Sequence, residues 1–272
     1  NVPLLALSTA DGSLVASWNA DSVVFSLAIS GSVLYVGGAF QILNGQNRNR
    51  LASVSLLDQS VLPFSPNWNA SFVRSMLVSG NVLYVSGVIA SAEGDARTNY
   101  AAFDLNNHTV LPWAPDGSYA NILLNDGNDV VVGANNSKSL SYKRINHLAK
   151  INPLDGSVVN WSAQVSGSGI NTLSFYNNFL YLAGNFSNVG GAVRLGFAEI
   201  DVDTGLASSF DFAPNSNNWS IFTRVGSKLF LSDNFSQIGG AARSFMAAFD
   251  LNDHSLTNWV PNPDINIIYN LI

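Results

Sequence analysis

A short apolar block recurs along the chain, and each copy ends in a small or turn-forming residue. The copies are Leu-Tyr-Val-Gly-Gly at 34–38, Leu-Tyr-Val-Ser-Gly at 83–87, Leu-Tyr-Leu-Ala-Gly at 180–184, Leu-Phe-Leu-Ser-Asp at 229–233 and a degenerate Asp-Val-Val-Val-Gly at 129–133. Apolar runs of this length, bounded by turn residues such as Ser79-Gly80-Asn81, are typical of β-strands. The pattern predicts an all-β protein built from repeats.

Two further columns of residues keep a constant spacing with this block. An alanine recurs as Ala6, Ala52, Ala101, Ala149, Ala198 and Ala247. Twelve positions after each alanine comes a large ring: Trp18, Phe64, Trp113, Trp161, Phe210 and Trp259. Successive rings lie 46, 49, 48, 49 and 49 residues apart, so the period is close to 49. A large ring repeated once per unit is expected to pack between neighbouring units.

Arginine forms a third column. Four arginines precede the column alanine by four positions and one precedes it by five: Arg48, Arg97, Arg194, Arg243 and, with the longer offset, Arg144. A residue repeated once per unit favours a structural role over a catalytic one. We expect each guanidinium to satisfy carbonyls or carboxylates between units.

Four strand-like segments per unit predict blades of a β-propeller, each a four-stranded antiparallel sheet. The units run over 23–69, 70–118, 119–166, 167–217 and 218–264, and a closing blade combines 1–22 with 265–272. Six blades in a single domain over 1–272 are expected, with seven blades or part of a longer repeat array as alternatives. The closing blade lacks its apolar block, so it has three strands or is completed by residues beyond Ile272.

The repeat motif resembles a known family. Val33–Phe40 followed by Gly45–Ala52 is similar to the delta-60 repeats of bacterial β-propellers, as are 180–194 and 234–243. A weaker similarity exists to fungal Rax2-like extracellular repeats. The resemblance implies a secreted or cell-surface location and membership of a larger protein, often beside adhesion domains. It implies no catalytic residues.

Composition narrows the classes of function. The 272 residues carry 12 Lys+Arg against 18 Asp+Glu, a formal charge of -6, and no cysteine. An acidic chain lacks the basic surface that nucleic-acid binding needs, and no apolar run is long enough to insert into a membrane. The absence of cysteine excludes disulfides and thiol chemistry. Only four Lys and two Glu are present, which disfavours surface helices.

Candidate chemistry is sparse, so no catalytic and no metal-binding residues are assigned. Most aspartates fall in predicted turns, and His108 and His254 share one turn position, which favours solvated turn residues. The run Asn125–Asp129 could hold Ca²⁺ through Asp126 and Asp129, although it lacks the distal Glu of an EF-hand loop and a plain turn is favoured. No other cofactor is indicated.

Two tryptophans outside the aromatic column, Trp68 and Trp219, lie with Asn69 and Asn218 in crossings between units. These four residues are the candidate ligand-binding residues, because tryptophan among polar residues suits a sugar ring or a protein hot spot. The alternative for the tryptophans is to cap the core between units.

The interpretation is a non-enzymatic extracellular or cell-surface recognition module, adhesin-like, that binds a surface glycan or protein. A structural spacer or tip domain of a larger surface or fibre protein is one alternative. A secreted glycoside hydrolase is the other, and it would need a pair of carboxylates held close together.

Overall fold

The computed structural model describes residues 2–134, 138–140, 143–145, 147–215 and 221–261, and throughout these residues the regular structure is β-strand without any helix. The expected all-β class is therefore confirmed. By internal contacts the chain divides into two compact bodies, Asn1–Leu123 with Leu154–Gly156, and Leu124–Pro153 with Ser157–Ile272. Each body is described by itself below.

The first body opens with a hairpin and continues with two repeats. The hairpin is β1 (Val2–Leu7) and β2 (Leu14–Ala20). The first repeat contains β3 (Val24–Ser30), β4 (Val33–Gly38), β5 (Ile42–Leu43), β6 (Gln46–Asn47) and β7 (Leu51–Ser55). The second contains β8 (Trp68–Ser79), β9 (Val82–Ala92), β10 (Asp95–Ala96) and β11 (Tyr100–Asp104).

Three repeats follow along the chain. The third contains β12 (Ile122–Asn125), β13 (Val130–Gly133), β14 (Lys138–Leu140), β15 (Lys143–Ile145) and β16 (Leu148–Ile151). The fourth contains β17 (Ser166–Tyr176), β18 (Phe179–Val189), β19 (Ala192–Val193) and β20 (Phe197–Asp201). The fifth contains β21 (Ile221–Val225), β22 (Lys228–Ser232), β23 (Gln237–Ile238), β24 (Ala241–Ala242) and β25 (Met246–Asp250).

Every repeat has the same sheet at its centre. The apolar block forms the middle strand, with the preceding and following long strands paired to it: β3-β4-β7, β8-β9-β11, β12-β13-β16, β17-β18-β20 and β21-β22-β25. The fourth predicted strand is reduced to single antiparallel bridges, such as Val54 with Val61 and Phe249 with Leu256. The loops that carry the column arginines contain short strand pairs such as β5–β6 and β23–β24.

Glycine ends the apolar block because two backbones meet there. A Cβ on Gly38 would lie 2.2 Å from the Val23 carbonyl oxygen, and one on Gly87 would lie 2.1 Å from that of Phe72. No side chain fits at such a distance, so the first strand of these two sheets crosses directly over this position. Two backbones therefore pack tightly at both glycines.

The core lies between consecutive sheets. One cluster combines Tyr35 and Leu51 of the first repeat with Leu83, Val85 and Phe103 of the second. Another combines Tyr181 and Phe197 of the fourth with Leu229 and Phe249 of the fifth. Neither sheet of such a pair could bury this apolar surface without the other, which is the property of a repeat protein.

Three of the column rings pack against the turn of the next repeat, at a residue with positive φ. The Phe64 and Phe210 rings meet the imidazoles of His108 and His254 at centroid distances of 4.9 and 4.4 Å. Trp161 instead faces Gly205, where a Cβ would lie 3.2 Å from the indole and 2.6 Å from the Ser162 carbonyl oxygen. Both histidines thus pack on a ring, but His108 remains exposed in its turn as expected, whereas His254 is only partly exposed.

Burial of the column rings falls off towards the end of the chain. Trp18, Phe64 and Trp113 are almost fully buried, whereas Trp161 and Phe210 are half-buried. Trp259 is the most accessible of the six, with 37% of its surface exposed. Packing between repeats is thus seen for the earlier rings, and Trp259 keeps an uncovered face.

The column arginines act within a repeat. Arg48, Arg97, Arg194 and Arg243 each donate to the carbonyl oxygen fourteen residues further on, those of Leu62, Leu111, Ser208 and Thr257. They join the arginine loop to the fourth segment of the same repeat, so the expected role between units is wrong for these four, while carbonyls as acceptors are confirmed. The Arg144 side chain lies outside the described residues.

The N-terminal hairpin departs from the repeat register by one residue. In the repeats, bridges join the residues two and nine positions after the column alanine, as at Val54 with Val61. That register would set Ala6 opposite Ser17, but Ala6 pairs with Ala16 and Leu5 pairs with Ser17. Leu4 and Ala6 pack against the hydrophobic core, so the alternating residues Leu5 and Leu7 point outwards. They are 52% and 56% exposed.

Two glycines of the second body separate the effect of close packing from that of backbone strain. Gly205 (φ +72°) and Gly226 (φ +60°) are both left-handed, but a Cβ on Gly226 would meet nothing within 4 Å. We predict that Gly226→Ala destabilises the fold by about 1 kcal/mol through strain alone. Gly205→Ala should cost about 2 kcal/mol more, because backbone must move. Urea unfolding of both variants checks this, and equal losses would contradict the packing of Trp161 on this turn.

Candidate recognition surface

Trp68 lies in the core rather than on a binding surface. It is only 6% exposed, its Nε1 donates to the Asn49 carbonyl oxygen at 2.8 Å, and its ring stands edge-on to Phe103 at 5.9 Å. No face of the indole is open to a ligand, so the role in capping the core replaces the expected binding role. Asn69 is exposed beside it on β8. Trp219 and Asn218 lie outside the described residues.

The first body instead carries a row of partly exposed aromatic rings on its first strands. Phe25 on β3, Phe72 on β8 and Tyr119 before β12 form this aromatic row. Their rings meet edge-to-face, with centroid distances of 6.0 Å from Phe25 to Phe72 and 5.4 Å from Phe72 to Tyr119. Phe25 is 41% and Tyr119 37% exposed. The row is held by its own ring contacts and still presents apolar surface to solvent.

A β-bulge in each first strand positions this surface. The ladders skip one residue between Val24 and Ser26 and one between Val73 and Ser75, so Phe25 and Arg74 are the bulged residues. A bulge re-aims its side chain relative to the regular pleat. The following serine fixes the bulge to the next strand, since Ser26 Oγ accepts a hydrogen bond from the Met76 N–H at 2.9 Å.

Arg74 reaches back over the preceding bulge. Its guanidinium carbon lies 5.1 Å from the centre of the Phe25 ring, a cation–π contact. Among the described residues, no carboxylate forms a salt bridge with Arg74. The aromatic row therefore includes one cation whose charge the described part of the chain does not neutralise.

Aliphatic side chains extend the surface along β3. Val23, Leu27 and Ile29 are 46%, 48% and 60% exposed, and β3 itself carries no charged residue. Contiguous exposed apolar residues on a soluble protein mark contact sites more often than isolated ones do. A charge-poor centre with aromatic residues and one arginine is also the composition of protein interfaces.

The candidate calcium ligands are already occupied by a side-chain cation. Lys150 Nζ lies 2.7 Å from Asp126 Oδ2 and 3.9 Å from Asp129 Oδ2. The other oxygen of Asp126 accepts the backbone N–H groups of Asn128 and Asp129. No group of three or more potential metal ligands is found in the described ranges. This geometry favours the plain turn that the sequence also allowed.

A second buried carboxylate lies in the fourth repeat. Glu199 is fully buried on β20, and its Oε2 lies 2.8 Å from Nε2 of His254, which also stacks on Phe210. The neighbouring Tyr181 has its hydroxyl pKa raised, first by burial and then by its hydrogen bond with Glu199. The sequence places His147 close to Lys143 and Arg144, which predicts a basic surface patch, but His147 is buried, and its Nδ1 lies 3.2 Å from the Ala134 carbonyl oxygen. These groups belong to the core.

The comparisons with known proteins concern the fold alone. No protein-family model and no curated protein matches the chain. The chain is similar to the extracellular domain of a protein described as a one component system of B. thetaiotaomicron, with 12% identity and a TM-score of 0.51 over 92% of this chain. It spans only 30% of that structure's length. This likeness supports a β-rich fold and carries no statement about a ligand.

Two computationally designed proteins are more weakly similar. Ika4 has 15% identity and a TM-score of 0.46, with 68% of this chain and 94% of that chain covered. Ika8 has 13% identity and a TM-score of 0.46, with 86% of each chain covered.

The described residues include no helix of the length and hydropathy needed to cross a membrane.

The two aspartates beside Lys150 should respond oppositely to removal of their charge. Asp126 is buried against the ammonium, so Asp126→Asn is expected to destabilise the fold by about 3 kcal/mol. Burial and the charge of Asp126 raise the pKa of Asp129 above its ordinary 3.8. The folded state thus holds this proton more tightly than the unfolded chain, and ionisation lowers stability as the pH rises.

Asp129→Asn removes that ionisation, so this variant should match or exceed the wild type at pH 7. Its advantage should shrink as the pH falls and vanish well below 3.8, where the wild-type carboxyl is protonated in both states. Urea unfolding of both variants from pH 3 to 7 measures the effect. Equal destabilisation by the two substitutions at pH 7 would show that Asp129 is a second necessary partner of Lys150.

Proposed function

We propose that this protein is a non-enzymatic recognition module that binds a protein segment through the aromatic row. The observation that carries the proposal is the set of exposed rings of Phe25 and Tyr119 joined through Phe72, with the unneutralised guanidinium of Arg74 among them. The aliphatic flank of β3 favours a protein over a glycan, since sugar rings need polar partners around the stacking ring. A carboxylate in the partner would complement Arg74.

The pKa values of six aspartates support a binding role over a hydrolytic one, whereas Asp129, whose pKa is raised, lies beside Lys150. A general acid needs a raised pKa. Six aspartates in turns and on the surface instead have a lowered pKa, chiefly because backbone N–H groups or serine, threonine or lysine side chains donate hydrogen bonds to them. These residues are Asp11, Asp21, Asp58, Asp201, Asp250 and Asp253. Asp95 and Asp211 do not recur at the same position in the other repeats. Each has a carboxylate oxygen 3.6 Å from a guanidinium nitrogen of a column arginine. A secreted hydrolase therefore remains the weaker alternative.

The proposal extends to the architecture and location. The five equivalent sheets, in which the middle strand lies between the first and the third, are blades of a six-bladed β-propeller. The sixth blade combines 1–22 with 265–272, and 265–272 lie outside the described residues. The resemblance to delta-60 repeats supports this ring, a secreted or surface location and a larger parent protein. A structural spacer would share these properties without a binding surface.

Closure of the ring has a direct measurement. A compact domain of this length is expected to have a radius of gyration of about 19 Å. Small-angle X-ray scattering should give that value and a distance distribution without an extended tail. A markedly larger radius with a long tail, in a monomeric sample, would show an open row of repeats and contradict the propeller.

The binding proposal can be tested without knowing the partner. Selection from a random phage-displayed peptide library should enrich segments that combine aromatic or aliphatic residues with a carboxylate. Phe72→Ala removes the central ring of the row and should weaken the selected peptides on the order of tenfold or more. Arg74→Gln should weaken chiefly those peptides that contain a carboxylate. Leu57→Ala, on a residue that is 84% exposed and far along the sheet from the row, is the control.

The outcomes separate the candidate functions. Peptides that bind the wild type and Leu57→Ala but not Phe72→Ala support the proposal. A parallel glycan array that shows binding lost in Phe72→Ala, with no peptide selected, would assign the row to glycans. Binding that is equal in all variants, or absent from both screens, would contradict recognition by this surface and favour the spacer.

A further inference from the structure

We propose that the aromatic row binds a proline-rich segment in the polyproline II conformation, with an acidic residue at one end of that segment. Such a segment would be the partner in the recognition function proposed above, on which this inference rests. Three features of the row carry it: the spacing of the exposed rings, the donor character of the polar groups and the guanidinium at one end.

The two outer rings of the row form separate apolar contact points. Phe25 and Tyr119 flank Phe72, whose ring is inclined by 72° and 87° to theirs, and Phe72 is the least exposed of the three. From the two centroid distances, the outer rings are at most about 11 Å apart, and a polyproline II helix repeats one face about every 9 Å. Two prolines three residues apart can therefore each cover one outer ring.

The polar groups of the row favour a segment with few backbone donors. The Arg74 guanidinium can only donate hydrogen bonds, and the Tyr119 hydroxyl can donate as well. A β-strand would bring unpaired N–H groups to this surface, whereas proline has none and leaves the carbonyl oxygens of a polyproline II helix free to accept. Surfaces lined by aromatic rings are a known docking site for proline-rich segments.

The backbone that carries Tyr119 is fixed by the second repeat. Asn99 Nδ2 and the Tyr100 hydroxyl donate to the carbonyl oxygens of the two residues before Tyr119, at 2.6 and 2.7 Å. The N–H of the residue after it donates to the buried Ser86 Oγ at 2.7 Å. A ring held in this way loses little freedom on binding, and a preformed polyproline II segment loses little as well.

The charge of Arg74 selects one direction of the bound segment. Its guanidinium carbon lies 5.1 Å from the Phe25 centroid, at the Phe25 end of the row, and no described carboxylate forms a salt bridge with it. A polyproline II helix presents similar faces in both chain directions. An acidic residue beside the proline that covers Phe25 therefore distinguishes the two directions.

Two fluorescein-labelled peptides are the probes. Both contain Pro-Pro-Ala-Pro-Pro-Ala-Pro, with two aspartates added before it in one peptide and after it in the other. We expect fluorescence anisotropy to show that the better peptide binds the full chain with micromolar affinity, about threefold or more tighter than the other. Replacement of every proline by alanine keeps the charge and should weaken the better peptide about tenfold or more.

Variants of the chain test the same contacts from the other side. Tyr119→Ala removes an outer ring and should weaken the better peptide about tenfold, whereas Tyr119→Phe keeps the ring and should cost about threefold. Arg74→Gln should bring the two peptides to equal affinity, because only the charge distinguishes them. Leu57→Ala is again the control and should bind as the wild type does. The comparison of peptides, which leaves the chain unchanged, decides the question if a variant is misfolded.

Binding by an acidic proline peptide that is lost in the alanine peptide and in Tyr119→Ala supports the inference. If peptides without proline bind in a manner that depends on Phe72 and the proline peptides do not bind, the inference is overturned while the recognition function stands. If no peptide of either kind binds, both fall. Equal binding by the alanine peptide, by the two proline peptides or by Tyr119→Ala would also overturn the inference, since charge alone or another surface would then hold the peptide.

Discussion

The packing of a column ring on the turn of the next repeat is the interaction on which the rest of the fold depends. The turn residue has positive φ at each of these contacts, which restricts it to glycine or to a residue that tolerates the left-handed region. The ring and the turn residue then share a fixed space. Trp161 leaves room only for Gly205, whereas the smaller Phe64 and Phe210 each leave room for a histidine ring. At these three contacts the turn residue thus follows the size of the ring, while Trp18 donates through its Nε1 to the carbonyl oxygen of the turn residue Gln59.

Because packing determines the residues at the rings and turns, the repeats differ in side-chain chemistry mainly on their first strands. The middle and third strands are almost fully buried, so their residues are chosen for packing. The first strand is more exposed, and besides its ladder with the middle strand it is held by the close approach at the glycine and by a serine after its bulge. The bulged position itself carries Phe25, Arg74 or Asn171 in different repeats. A surface with its own chemistry can thus form without disturbing the contacts between sheets.

The sequence predicted the features that recur in every repeat. It did not predict the position of a side chain that a local backbone distortion displaces. The strands, the glycine packing and the burial of Trp18 and Trp113 followed from periodicity. The burial of Trp68 could have followed from alternation, because Asn67 and Asn69 point outwards on either side of it. Phe72 and Tyr119 do share a repeat position 47 residues apart, which was an available signal. Phe25 does not share it, since only the bulge brings this ring to the row, and no pattern of single residues predicts a bulge.

Two buried charged residues, Lys150 and Glu199, indicate how a repeat can distinguish its correct neighbour from the other, similar repeats. The residue after each column alanine faces the core, and in most repeats it is small: Ser53, Ala102 and Ala248. In the third and fourth repeats it is Lys150 and Glu199. A buried ion pair adds little net stability, but a buried charge without its partner costs several kcal/mol, about 3–5 for a broken pair. Glu199 finds its partner on His254, at the turn position where the second repeat also has a histidine, His108, and the other repeats have glycine or glutamine. Packing the fourth repeat on a glycine or glutamine turn would leave the carboxylate buried alone, so this pair disfavours every neighbour except the second and the fifth repeat.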